Sequence, residues 1–87
     1  MKTKKLLQKL KDILSAERRA QLEKYASLKK VLKSLRDEKK NLKKDLQAEE
    51  HEELRHEISS KLKVISMQRK KGLKLLQELK EERDKET

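Results

Sequence analysis

The spacing of the apolar residues is the feature that most constrains the fold of this chain. From Tyr25 onward they recur in alternating steps of three and four residues, and a second run with the same steps begins at Leu54. Such a repeat places side chains on one face of an α-helix. The turn signals that separate strands are missing, because the sequence has no proline and one glycine. We therefore expect an all-α fold.

The apolar pattern divides the chain, which we expect to form a single helical domain over 1–87, into three helical segments. They are predicted at about 3–14, about 16–46 and about 54–83. Ser15, followed by Ala and Glu, is typical of a new helix start, so a short separate N-terminal helix is possible.

The connection between the second and third segments is predicted in the acidic region of about 47–53. The wider stretch 47–57 holds five Glu against one Arg, and its apolar pattern fades. It has no Gly, Pro or Asn to fix the position of a turn. One continuous helix is therefore the alternative, and it would span about 130 Å at 1.5 Å per residue.

A long helical hairpin with coiled-coil-like packing is the architecture that these segments favour. Two helices cannot cover both sides of their apolar stripes, so we expect self-association, most simply a dimeric helical bundle. The residues predicted to form the helix packing and the oligomer interface are Tyr25, Leu28, Leu32, Leu35, Leu42, Leu46, Leu54, Ile58, Leu62, Ile65, Leu76 and Leu79.

The sequence contains no motif typical of an enzyme, so no catalytic, metal or cofactor-binding residue is predicted. His51 and His56 are five residues apart, whereas the zinc-protease helix needs a spacing of four. Glu53 and His56 have the spacing used in carboxylate-bridged di-iron bundles, but no further Glu lies on the Tyr25–Leu46 stripe to complete such a site. With one glycine, phosphate-loop and dinucleotide motifs are excluded.

The basic surface is the strongest functional signal. The chain carries a formal charge of +10, and residues 24–44 hold nine Lys or Arg against two acids. Cations of this density attract polyanions through counterion release. The candidate phosphate contacts are Lys29, Lys30, Lys33, Arg36, Lys40, Lys43, Lys44, Arg69, Lys70 and Lys71. Groups that read bases are scarce, since Tyr25 is the one aromatic residue.

A short segment of the third helix invites comparison with an RNA-binding family. Gln68-Arg-Lys-Lys-Gly-Leu, continuing to Leu76, resembles a Gln-Arg-Arg-Lys-Leu-Leu stretch in the last long helix of the fifteenth small-subunit ribosomal protein. This resemblance implies an rRNA-facing basic helix. The Gly-Ser-Thr helix start and the His-His-Ser loop of that family have no counterpart in this sequence.

Two functions follow from these patterns. We expect a non-catalytic protein–protein interaction module that forms a homodimer, and the alternative is a basic accessory protein that binds the phosphate backbone of RNA or DNA. The first segment has a basic rim like that of a membrane-surface helix, but its apolar face is expected to pack on the hairpin, so peripheral membrane contact through residues 1–14 is not favoured. No signal peptide or transmembrane segment is predicted, so the expected location is cytoplasmic.

Overall fold

Four helices build the chain in a computed structural model that describes residues 2–86. They are α1 (Lys2–Leu14), α2 (Arg18–Glu23), α3 (Tyr25–Ala48) and α4 (Glu52–Glu86). Over this range the chain has no strand. The predicted all-α class is confirmed.

The three longer helices pack side by side, and α2 lies in the connection between α1 and α3. Thr3 at the start of α1 hydrogen-bonds to Glu38 far along α3, with 3.0 Å between Oγ1 and Oε2, so α1 and α3 are antiparallel. Arg55 near the start of α4 reaches the carbonyl of Leu46 near the end of α3, so α3 and α4 are antiparallel as well. The chain measures 52 × 18 × 16 Å. The longest dimension equals the length of the 35-residue α4 at 1.5 Å per residue.

The core lies where all three long helices overlap. Its fully buried side chains include Leu10 from α1, Leu28 and Leu35 from α3, and Ile65 and Leu79 from α4. Burial of leucine and isoleucine side chains is the main favourable term in folding, at roughly 25 cal/mol per Å² of apolar surface. The apolar face of α1 completes this core, because Leu6, Leu7 and Leu14 also pack against it.

The end of the bundle near residues 49–51 has two helices only. The 13 residues of α1 extend about 20 Å at 1.5 Å per residue, so α1 covers less than half of α4. Beyond α1, the side chains of Leu42, Leu46 and Ile58 are half-buried, and Leu54 is 44% exposed. Packing therefore weakens from the three-helix part towards this connection.

The stretch expected as one helix over 16–46 holds α2 and the greater part of α3. Lys24 separates them with φ of −96° and ψ of 16°, and its N–H donates to the carbonyls of Ala20 and Gln21. Ser15 does not cap α2, since its hydroxyl donates to the carbonyl of Asp12 at the end of α1. The chain thereby changes direction twice, before and after α2.

Candidate functional site

A groove between α3 and α4 collects half of the predicted phosphate contacts. Its volume is about 480 Å³, and its cationic lining comprises Lys29, Lys30, Lys33 and Arg36 from α3 and Arg69 from α4. The remaining lining residues are Leu32, Leu73 and Leu76, so no carboxylate lies in this groove. We call it the basic groove. Five cations with no acid among the lining residues produce a locally positive potential that favours anionic ligands.

The helical repeat of α3 explains why its cations share one side. Lys29, Lys33, Arg36, Lys40 and Lys43 are spaced by three or four residues, which places them one above the other along the helix. All five are exposed. At 1.5 Å per residue they form a stripe about 21 Å long with a cation at each turn. This stripe begins in the basic groove and continues along α3, where Lys44 extends it.

Arg69 lies deeper in the basic groove than the lysines do. It occupies an apolar seam position of α4 and is half-buried, and its Nε donates to the backbone carbonyl of Leu32 at 3.2 Å. This bond holds the guanidinium across the α3–α4 contact, and a guanidinium has further N–H donors that can bind an oxyanion. A guanidinium held in this way binds oxyanions with less loss of entropy than a freely moving lysine does.

The remaining two candidates on α4 lie in different places. Lys70 is exposed one turn before Leu73, which lines the basic groove. Lys71 lines another groove, between α4 and the α1–α2 region, where Lys11 and Glu78 are among its neighbours. The structure thus brings five of the ten predicted contacts into the basic groove and places Lys71 in a different groove.

Tyr25, the one aromatic side chain, is already engaged within the bundle. The guanidinium carbon of Arg83 lies 4.3 Å from the centre of its ring, and Lys29 Nζ lies 5.7 Å away. Both distances fall within the range of cation–π attraction. The ring is therefore occupied by the protein's own cations instead of presenting a free face on which a base could stack.

The predicted packing residues meet within one chain. Leu28, Leu32, Leu35, Ile65 and Leu79 are buried, while Tyr25, Leu42 and Leu76 are partly buried against the same core. Leu46, Ile58 and Leu62 are half-buried, and Leu54 is exposed. The third side of this α3–α4 seam is covered by α1 of the same chain.

Sequence reasoning missed two side chains that hold the connections in place. Gln21 is 7% exposed and its Nε2 donates to the carbonyls of Ile13 and Leu14 at 3.0 and 3.2 Å. Arg55 Nη1 donates to the carbonyls of Leu46 and Glu49 at 2.6 and 2.9 Å. Arg55 had a signal in the sequence, as the one basic residue of the acidic stretch 47–57. Gln21 had none.

Both histidines, His51 and His56, are exposed near the start of α4. Among residues 2–86, no group of three or more His, Cys, Asp or Glu side chains is placed to hold a metal ion. Over the same residues, no helix combines the length and the apolar character needed to cross a membrane.

Comparison with known proteins adds no assignment. No family model matches the chain, and no curated protein or solved structure matches it.

Proposed function

We propose that this protein is a non-catalytic binding protein whose basic groove and α3 stripe hold the phosphate backbone of a nucleic acid. The observation that carries the proposal is the lining of the basic groove, in which five cations are present and no carboxylate is. When Lys and Arg side chains neutralise phosphates, the cations condensed on the nucleic acid are released to solvent, which makes binding favourable at low salt.

The shape of the cationic surface favours a polymer over a small anion. The α3 stripe repeats one cation at each helical turn over about 21 Å, so it can follow a chain of regularly spaced charges. Phosphate contacts position a protein on nucleic acid but carry no sequence information. With Tyr25 covered by Arg83, we expect binding with little dependence on base sequence.

Fluorescence anisotropy with a labelled DNA duplex tests this function. We expect affinity that falls linearly on logarithmic axes between about 50 and 200 mM salt. The double variant R36Q/K43Q removes two stripe cations, and its salt slope is expected to be shallower by about 1.8, since each phosphate contact contributes about 0.9.

A matched control is the double variant K5Q/K9Q. It removes two exposed cations from α1, where Lys5 and Lys9 line a separate groove that also contains Asp37 and Glu38. This variant is expected to keep the wild-type slope. The proposal is overturned by an absence of binding at about 50 mM salt, or by equal losses in the two double variants.

Self-association is a second candidate function, in which α3 and α4 form a coiled-coil-like hairpin that dimerises. Two exposed apolar side chains of α4 support it: Val64 is 48% exposed and Met67 is 62% exposed. Because α1 covers the Leu28–Leu35 side of the α3–α4 seam, a second copy would bind on another face. The face that contains Val64 and Met67 meets this requirement.

A further inference from the structure

The groove between α4 and the α1–α2 region is a second basic surface of the chain. Its volume is about 680 Å³. Three helices supply its cations, which are Lys11 from α1, Arg18 from α2, and Lys71 and Lys74 from α4. Glu78 is the one carboxylate among the described residues that line it. We call it the second groove. Four cations against one carboxylate give its lining a net charge of +3.

The carboxylate of Glu78 is already paired within the protein. Its Oε2 lies 3.5 Å from Nη2 of Arg18, and Oε1 of Glu82 lies 3.4 Å from Nε of the same guanidinium. Arg18 thereby compensates the acids at the α2 end of the second groove. The three lysines of the groove are exposed, so their ammonium groups face solvent where an anionic ligand can approach.

The two grooves lie on opposite flanks of α4. Arg69 lines the basic groove, whereas Lys71 lines the second groove. Residues two apart are separated by about 200° around a helix at 100° per residue, so these side chains leave α4 in nearly opposite directions. Leu76 of the basic groove and Lys74 of the second groove have the same separation. Anions bound in the two grooves would therefore lie on different sides of the molecule.

A nucleic-acid duplex is too stiff to fill both grooves at once. The bundle is only 18 × 16 Å in cross-section. The persistence length of DNA is about 50 nm, so a single duplex would have to bend far more sharply than it does in solution to leave one groove and enter the other. Two separate duplexes meet no such cost.

We propose that the second groove binds a phosphate backbone of its own, so that one copy of this chain bridges two nucleic-acid duplexes. The proposal rests on the nucleic-acid function above and adds a second site to it. Lysines of the second groove neutralise phosphates and release condensed cations as those of the basic groove do. Because fewer cations line the second groove, it is expected to bind more weakly and to be filled after the basic groove.

Capture of one DNA duplex by another tests the bridge. A short biotinylated duplex is fixed on beads, and a fluorescent duplex of the same sequence is retained only where protein joins the two. At about 50 mM salt, retention is expected to rise with protein concentration and then to fall, because excess protein occupies each duplex separately.

The double variant K71Q/K74Q removes two cations from the second groove. It is expected to lower the retention of the fluorescent duplex about tenfold. Its affinity for a single duplex in fluorescence anisotropy is expected to change by less than about twofold, because the basic groove is intact. Lys11→Gln alters the same groove from α1 and is expected to lower retention about threefold. All three positions are exposed, so far-UV circular dichroism is expected to match wild type.

The double variant K5Q/K9Q is the matched control, since it removes the same charge at residues that line neither groove. It is expected to retain as much fluorescent duplex as wild type. This comparison separates a defined second groove from general neutralisation of DNA by a basic protein. Equal losses of retention in K5Q/K9Q and K71Q/K74Q would overturn the proposal.

A dimer with one basic groove per copy is the other route to a bridge. In that case K71Q/K74Q would retain the fluorescent duplex as well as wild type does, and this outcome would reject the second groove. Binding of a single duplex without retention of the other would reject the bridge alone. An absence of any DNA binding at about 50 mM salt would reject the nucleic-acid function and the bridge together.

Discussion

Gly72 sets the distance between the three long helices. A Cβ atom built at this position would lie 2.6 Å from Cδ2 of Leu32 in α3 and 3.0 Å from Cδ1 of Leu10 in α1. Both leucines are buried, with exposures of 3% and 0%, so neither methyl group can move into solvent. Glycine in a helix interior costs about 1 kcal/mol relative to alanine. Glycine is nevertheless required at this position, because α4 contacts both α1 and α3 here.

Replacing Gly72 with a β-branched residue is expected to force the helices apart. We expect Gly72→Val to lower the free energy of unfolding by about 2 kcal/mol through overpacking, with Gly72→Ala in between because its better helix propensity offsets part of the clash. Urea unfolding followed by circular dichroism measures this. The exposed Lys70→Val is the control for helix propensity, and equal losses in Gly72→Val and Lys70→Val would contradict the steric explanation.

Gln21 is a buried polar residue of α2 whose side chain caps the C-terminal end of α1. Its amide donates to the carbonyls of Ile13 and Leu14 in the last turn of α1, and the Ile13 carbonyl also accepts from the N–H of Ala16. Gln21→Met keeps the shape and removes the donor, so we expect a loss of about 1–2 kcal/mol in the free energy of unfolding. Gln47→Met, at an exposed position of α3, is the control and is expected to stay within about 0.5 kcal/mol of wild type. A neutral result at Gln21 would argue against the cap.

At the scale of elements, the α3–α4 connection depends on a side chain instead of a turn motif. Residues 49–51 are Glu-Glu-His, and among the described residues of the chain none has a positive φ. A glycine at the end of a helix usually allows backbone N–H groups to bond the last carbonyls. Here the guanidinium of Arg55 takes that role and donates to the carbonyls of Leu46 and Glu49. His51 N–H adds a bond to the Glu49 carboxylate at 3.1 Å.

Substitutions at Arg55 test whether charge or geometry holds this connection. Arg55→Met is expected to lower the free energy of unfolding by about 2 kcal/mol, because two carbonyls lose a charged donor. Arg55→Lys keeps the charge among the neighbouring Glu residues but lacks the planar fork, so we expect it to recover only about half of that loss. Urea unfolding measures both, with exposed Lys63→Met as control. Full recovery in Arg55→Lys would show that charge alone matters.

The helical class was predictable from local pattern, but the details of the elements were not. Three-and-four spacing is a property of neighbouring residues, so it reveals an apolar face without knowledge of the fold. The α3 stripe was predictable for the same reason. In contrast, the bonds of Gln21 and Arg55 join different helices. Such features depend on tertiary contacts that local pattern does not contain.

At the scale of the whole molecule, charge is distributed unevenly along the bundle. The acidic residues Glu49, Glu50, Glu52 and Glu53 gather at the two-helix end, whereas residues 58–77 of α4 contain no acid at all. Because α3 runs beside this acid-free part of α4, the middle of the α3–α4 side is strongly basic. The α3–α4 side therefore contributes much of the net charge of +10.

Concentration of like charge on the α3 stripe has a cost in stability. Arg36 lies one turn from Lys33, Lys39 and Lys40, and Lys43 lies one turn from Lys39 and Lys40. These are five like-charged pairs, and no acid is spaced to compensate either Arg36 or Lys43. Each pair at this spacing destabilises a helix by roughly 0.2–0.5 kcal/mol. A surface that served only solubility would gain from interspersed acids.

The variant R36Q/K43Q is therefore expected to be more stable than wild type while it binds DNA less tightly. Removing five repulsive pairs is expected to raise the free energy of unfolding by about 1–2 kcal/mol at low salt, measured by urea unfolding. The gain is expected to vanish near 1 M salt, where the screening length is about 3 Å.

Lys63→Gln is the control, because residues three and four positions from Lys63 are Ser and Met, without charge. Opposite changes of stability and affinity in R36Q/K43Q indicate that the stripe is maintained for binding, since stability alone would favour its removal. A loss of stability in that variant, or a salt-independent gain, would contradict this account of the basic surface.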